Sequence, residues 1–168
     1  MKEFSKIVCT DVYYQEDMVQ AAALLCDSWS TPHSKEEYVV RAASASEYVT
    51  GEFYLRELPI LIRLLAQIPE YDCVVVDAHV WLQEGRPGCG FYLWEHLEQK
   101  IPVIGVAKNR FHDGIAEPLL RGESRRPLYI SAAGIDVQEA VAHIARMHGA
   151  YRMPTILKQV DMLSRKQE

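Results

Sequence analysis

Two short runs in this chain carry no polar side chain: CVVV from Cys73 to Val76 and VIGVA from Val103 to Ala107. Runs this short and dry suit strands covered on both faces, as in the middle of a layered α/β sheet. Each stops at a charged residue, Asp77 in the first case and Lys108 in the second. A dry strand is a rigid support, and its carboxyl end is where an α/β sheet usually meets a ligand.

The elements around these runs follow from period and breakers. Lys6 to Tyr14 (KIVCTDVYY) is rich in β-branched and aromatic residues and reads as a strand, with Ile7, Cys9 and Asp11 on one face. Val19–Trp29 and Glu37–Ser44 read as two further strands, which makes an antiparallel three-strand meander. Helical spacing then takes over in Leu58, Leu61, Ile62 and Leu65. Pro59 is tolerated only in a first turn, so this helix is expected to start near Glu57 and stop before Pro69. CGFYLWEHLEQK reads as a helix and PLYIS as a strand. In GIDVQEAVAHIARMHG, Asp136 caps, Glu139 follows three residues later and a glycine closes the run. TILKQVDMLSRKQ is a final amphipathic helix. The expected architecture is a three-layer α/β domain: a mixed sheet with an antiparallel meander followed by parallel strands, and helices on both faces. All of 1–168 is expected to form a single domain.

Composition narrows the class. Of 168 residues 49% are hydrophobic and 24% charged, an ordinary globular balance without the apolar length of a membrane span. The charged start MKEFSKIVCTD does not read as a signal peptide. Four scattered cysteines without a CxxC pair fit reduced, buried thiols and a cytoplasmic protein. A net charge of −5 argues against binding nucleic acid by overall charge alone, so basic residues would have to gather locally. Candidates are Arg56, Arg86, Lys108, Arg110, Arg121, Arg125 and Arg126.

Three acids stand where elements begin or end: Asp11, Glu57 and Asp77. An acid at such a position also serves simply as a cap. If the three meet, they repel one another unless a proton or cation lies between them, and hard oxygen donors select Mg²⁺ or Mn²⁺. His79 reads as a strand-face ligand in DAH or as a hydrogen-bonded loop histidine. His143 and His148 flank a helix end and are expected to face solvent or complement its dipole. GxSxG, GxGxxG, P-loop and HExxH patterns are absent.

Five segments in order, TDVYY, EYVTGEFYLRELP, VVVDAHV, IPVIGVAKNRF and RPLYISAAG, resemble the endonuclease V family across about Lys6 to Leu163. The resemblance implies an RNase H-like fold. It also implies a Mg²⁺-dependent endonuclease, with Mn²⁺ as substitute, cutting on the 3′ side of a deaminated adenine (hypoxanthine, inosine) in DNA or RNA. Asp11, Glu57 and Asp77 match the family's metal-binding catalytic acids and Lys108 the lysine near the scissile phosphate. Tyr48 matches an aromatic wedge, and Gly51, Ala78 and Gly88 fall at the pocket for a flipped base. Arg86 and Arg110 are further nucleic-acid-binding candidates, with pairing of Arg86 to Glu84 or Glu95 as the alternative. The family also implies a monomer.

The chain departs from the family at several places. Ala78 and Val80 replace glycines, so Val80 is expected to narrow or reshape the base pocket. Gln83 replaces a histidine, Thr50 replaces the wedge proline, and Gly134 stands where a histidine near the metal is expected. The family's leading helix is not expected here. Two alternatives follow: a binding protein with weak or lost catalysis, or a nuclease of different specificity.

Overall fold

The computed structural model describes residues 3–43 and 54–167. Its elements are β1 (Ile7–Gln15), β2 (Met18–Cys26), β3 (Glu36–Ala43), α1 (Tyr54–Ala66), β4 (Cys73–Val76), β5 (Trp81–Gln83), β6 (Arg86–Pro87), α2 (Cys89–His96), β7 (Val103–Ala107), β8 (Glu117–Leu119), β9 (Leu128–Ala133), α3 (Val137–Ala145) and α4 (Thr155–Arg165). Seven strands form one sheet in the order β3-β2-β1-β4-β7-β9-β8, and β5 and β6 form a separate hairpin.

The meander is present: β1 pairs antiparallel with β2, and β2 with β3. The dry strands sit at the centre, where β4 lies parallel to β1 and β7 parallel to β4. Beyond β7 the direction changes, because β9 runs antiparallel to β7 and β8 antiparallel to β9. The mixed three-layer α/β architecture is therefore as expected, with the parallel part confined to β1, β4 and β7. Strand β8 and the β5–β6 hairpin were not legible in the sequence. Each is only two or three residues long, too short for a period to show.

Strict alternation divides the core into two. Ile7 and Cys9 of β1, Cys73 and Val75 of β4, and Ile104 and Val106 of β7 pack with Ile144 of α3 and with Ile156, Leu157 and Val160 of α4. Val8, Val74, Val76 and Val103 face the other way, against Ile60, Leu61, Leu64 and Leu65 of α1 and Leu93 of α2. A fully buried Leu or Ile contributes roughly 1.5–3 kcal/mol, so both faces are well covered. No described helix is long and apolar enough to cross a membrane.

Three local expectations need correction. Helix α1 starts at Tyr54, so Glu57 lies in its first turn while Pro59 falls inside the helix. Pro59 points to solvent and the apolar stripe of α1 holds the helix against the sheet, which outweighs one missing backbone bond. His143 is fully buried, stacked on Trp29 at 4.7 Å with Phe4 edge-on, because α3 turns that face onto the sheet. Gly134 follows the Ala133 end of β9, which pairs with Val103 at the start of β7. It therefore packs on Trp94 and Pro102 at the sheet edge opposite Asp77 and Lys108. His148 is exposed, as expected, with Nδ1 2.9 Å from the Thr155 hydroxyl.

Candidate active site

The alternation that builds the core also aims the polar residues at its edge. Asp11 continues the row Ile7–Cys9, Asp77 the row Cys73–Val75, and Lys108 the row Ile104–Val106. All three side chains reach the α4 side of the sheet at the carboxyl ends of the parallel strands. There they line one narrow cleft, walled by Val75, Val106, Leu157 and Val160. The Thr10 hydroxyl donates to the Val75 carbonyl at 3.1 Å and fixes β1 against β4 just beneath the acids.

Glu57 arrives from the opposite face. Both Asp11 and Glu57 are 6% exposed. Burial is the main cause that pushes the Asp11 carboxyl up to about 8, and the neighbouring Asp77 carboxylate adds to it. Glu57 is likewise held well above the usual carboxylate range, first by burial and then by Asp77 and Asp11. The Arg56 guanidinium and the Tyr14 hydroxyl act against that rise. Arg56 stacks over the Tyr14 ring at 3.8 Å, so the two groups reach Glu57 as a unit. The three acids expected from the sequence thus interact across the sheet edge.

A fourth acid was missed. Asp161 of α4 lines the same cleft, and its hydrogen bond with Asp11 is among the interactions that hold the Asp11 proton. Burial alone would raise the Asp161 carboxyl, but its bonds to Asp11 and Arg165 and the charge of Lys108 leave it below its ordinary value. Arg165 Nε donates to Asp161 Oδ1 at 3.0 Å, and the Ser164 hydroxyl lies 3.2 Å from Asp11 Oδ2. The available signal was positional: Asp161 directly follows Val160 at the margin of the stripe Ile156, Leu157, Val160 and Ser164 that α4 buries.

The donor set fits a hard divalent cation. Among the described residues no three His, Cys, Asp or Glu side chains stand together so that they could hold an ion between them. Mg²⁺ needs no such group, because it keeps several waters and takes one or two carboxylates together with phosphate oxygens of a substrate. Buried carboxylates that raise one another's proton affinity are the signature of a place where positive charge is wanted.

The loops around the cleft are closely fitted. A Cβ on Gly105 would strike the Ala78 carbonyl, and one on Gly88 would lie 2.5 Å from the His79 carbonyl. These two glycines let the segment after Asp77 lie flat on β7 and α2. His79 Nε2 lies 3.1 Å from the Asn109 carbonyl and ties that segment to the one after Lys108. Val80 is fully buried, and its N–H donates to the Ser131 hydroxyl at 2.8 Å. It fills core above Gly90. Gln83 Nε2 donates to the His112 carbonyl at 2.8 Å.

The basic candidates separate. Arg86 stacks 5.3 Å above the Phe111 ring instead of pairing with Glu84 or Glu95, and the exposed Arg110 donates at 3.5 Å to the Gly114 carbonyl. Arg121 is buried and donates to the carbonyls of Met147, Gly149, Tyr151 and Arg152, so it is a scaffold residue. Arg152, which the sequence did not single out, donates to the carbonyls of Lys108, Arg126 and Pro127 and pins the backbone of Lys108. Tyr48 and Gly51 lie outside the described residues.

Comparison with known proteins agrees with this geometry. The chain is similar to an Endonuclease V of Ignicoccus hospitalis, 28% identical over 174 residues that cover 92% of this chain and 79% of the relative. Its fold superimposes on the crystal structure of a Bacillus subtilis Endonuclease V with a TM-score of 0.82 at 18% identity, covering 95% and 79% of the two chains. A Ciona intestinalis Endonuclease V was crystallised with a 24mer DNA containing an inosine followed by a ribo-adenosine. It superimposes with a TM-score of 0.79 at 15% identity over 96% and 85% of the chains. The profile of the Endonuclease V family matches residues 1–162, and the chain belongs to that family.

Proposed function

We propose that this chain is a divalent-cation-dependent endonuclease that hydrolyses a phosphodiester bond on the 3′ side of a deaminated base, hypoxanthine, in DNA or RNA. Membership of a nuclease family gives the reaction class. The single observation that carries the reading is the convergence of Asp11, Asp77, Asp161 and Lys108 in one cleft, with Glu57 coupled to it from the other face. The Ciona relative's inosine-containing DNA supports the choice of substrate.

The donor set suits Mg²⁺, with Mn²⁺ as substitute, held by Asp11, Glu57 and Asp77. When bound, such an ion neutralises charge on the phosphate and lowers the pKa of a bound water. The chain's own residues do the rest. Lys108 presents a compact cation to the phosphate from the wall facing Asp161. Arg152 holds the Lys108 backbone carbonyl, which fixes the point from which that side chain extends. His79 joins the segment bearing Asp77 to the segment bearing Lys108. Asp161, kept ionised by its hydrogen bond with Asp11 and then by Arg165, orients groups on the Asp11 side. Ala78, Gly88 and Arg110 lie on the loops beside this edge and Arg86 on the β5–β6 hairpin, and all four are proposed to meet the strand. The wedge role of Tyr48 and the pocket role of Gly51 rest on the family resemblance.

The test is incubation of the purified protein, expected to be monomeric, with inosine-containing and control strands of DNA and RNA in Mg²⁺ or Mn²⁺. Cleavage restricted to inosine strands, lost by at least about 10³-fold in Asp77→Ala, is expected, since the group that this acid helps to hold is worth several kcal/mol. Equal cutting of every strand would replace the reading with a nuclease of other specificity. Binding without cutting would replace it with a binding protein.

A further inference from the structure

A second pocket opens beside the carboxylate cleft, on the same face of the sheet. It encloses about 270 Å³ and is lined by Tyr13, Gln20, Arg41, Ser164, Arg165 and Lys166, together with Gln15, Met18 and Gln167. Three of these residues are cations and none is an acid, in a chain whose net charge is −5. From this we infer that the pocket is a phosphate subsite, which grips the backbone of the nucleic-acid strand next to the linkage being cut. The inference rests on the proposed endonuclease function and adds a named anchor to it.

The pocket's floor is a cross-strand row. Tyr13 of β1 pairs with Gln20 of β2, and Gln20 pairs with Arg41 of β3. Tyr13 lies two residues beyond Asp11, so the row runs about 7 Å further along the strand than the catalytic acids, on the same face. The wall is the last turn of α4. Ser164 and Arg165 belong to both regions, because the Ser164 hydroxyl reaches Asp11 and Arg165 reaches Asp161 while its guanidinium also lies 4.7 Å above the Tyr13 ring. A strand leaving the acid cleft on this side meets the pocket next.

One feature could work against an anion. The carboxyl end of a helix presents bare carbonyls, which repel negative charge. Here those carbonyls are engaged. Gln20 Nε2 donates to Leu163, Ser164 and Lys166 at 3.2, 2.9 and 2.9 Å. Arg41 donates to the Lys166 carbonyl at 3.3 Å and, through Nε, to the Gln20 side-chain oxygen. Arg41 thereby holds its charge in the pocket at a fixed place. The exposed Lys166 ammonium makes no hydrogen bond or ion pair among the described residues, and is available to a ligand. The need for such an anchor is electrostatic. A cleft lined by three acids, with Glu57 behind them on the other face, offers little to a polyanion except through its cation, so affinity has to come from basic groups at its margin.

The test is binding of an inosine-containing strand to the full chain by fluorescence anisotropy across a salt series, with Ca²⁺ replacing Mg²⁺ so that the strand stays intact. Lys166→Ala is expected to lower the slope of log K against log salt by about 0.7–0.9, the value of one phosphate contact. Lys166→Glu should weaken binding at least tenfold. The loss should appear only with strands that extend past the inosine on one side, and vanish when that side is trimmed. An unchanged slope in both variants, or a loss independent of strand length, overturns the pocket while leaving the endonuclease reading intact. Failure of the unsubstituted protein to bind any strand overturns both. Lys166 is solvent-exposed, so its variants fold; a thermal melt of each checks this.

Discussion

Two regions of this molecule bury ionisable side chains, and they differ in how the charge is treated. Beneath α3, His143 is fully enclosed with Trp29 and Phe4, with Nδ1 3.0 Å from Arg146 and Nε2 3.7 Å from Glu139 on its own helix. Burial and the neighbouring Arg146 keep its pKa below the ordinary value, against the pull of Glu139 and Glu3, so the ring sits there neutral. Just past the paired stretch of β1 and β4, Asp11 and Glu57 are nearly as enclosed, but their neighbours are further carboxylates. The first region carries no net charge that needs compensating, although His143 Nε2 and Trp29 Nε1 are buried there without a hydrogen-bond partner among the described residues. The second is satisfied only by protons or by an added positive charge. Burial alone therefore does not mark a functional site; unresolved like charge does.

The sharpest way to break this contrast is Asp11→Asn. Catalysis should fall by at least about 10³-fold, while the cation-free protein gains stability. The sign follows from linkage. Asp11 titrates near 8 when folded and near its ordinary 3.8 when unfolded, so between those values the folded state binds more protons. The stability of the unsubstituted, cation-free protein should therefore decline as pH rises from about 4 to 8. Asp11→Asn should remove that decline, raising Tm at pH 8 by roughly 2–4 °C for each kcal/mol relieved. A lower Tm in the variant at pH 8, measured by calorimetry in chelator, would mean that the acids are not in conflict.

Trp29→Ala probes the other region. Removing a buried aromatic should cost about 3–5 kcal/mol in denaturant unfolding, with cleavage per folded molecule retained, because the Trp29 cluster lies away from the cleft. Loss of turnover out of proportion to folded protein would show that the two regions are coupled.

The smallest expected effect is the pH response of His143. Its folded pKa lies below its unfolded one, so the unfolded state takes up the proton first as pH falls. Stability should drop as pH passes below about 6.5, the ordinary histidine value, and His143→Gln should flatten that drop in urea titrations at pH 5 and 7.

Much of the site was legible because strand alternation is local. The rows Ile7–Cys9–Asp11 and Cys73–Val75–Asp77 need only a period of two to place their acids on the face of their apolar residues. The glycines after Asp77 were harder to read. Gly88 matters for its contact with the His79 carbonyl, a fit between segments that no spacing encodes. That Val80 is buried in the core was not legible either, because it depends on the segment after β4 turning inward over Gly90.

The sequence by itself determined the dry central strands, the antiparallel meander and the parity that carries Asp11, Asp77 and Lys108 to one edge, since all three depend on neighbours a few residues apart. Tertiary structure alone decided that β9 reverses direction beside β7. It also decided that α3 buries His143, and that α4 delivers Asp161 to Asp11, 150 positions away in the chain. Those outcomes depend on which faces of helix and sheet dock. Docking is settled by the total apolar area covered, a property of the whole fold that no single segment contains.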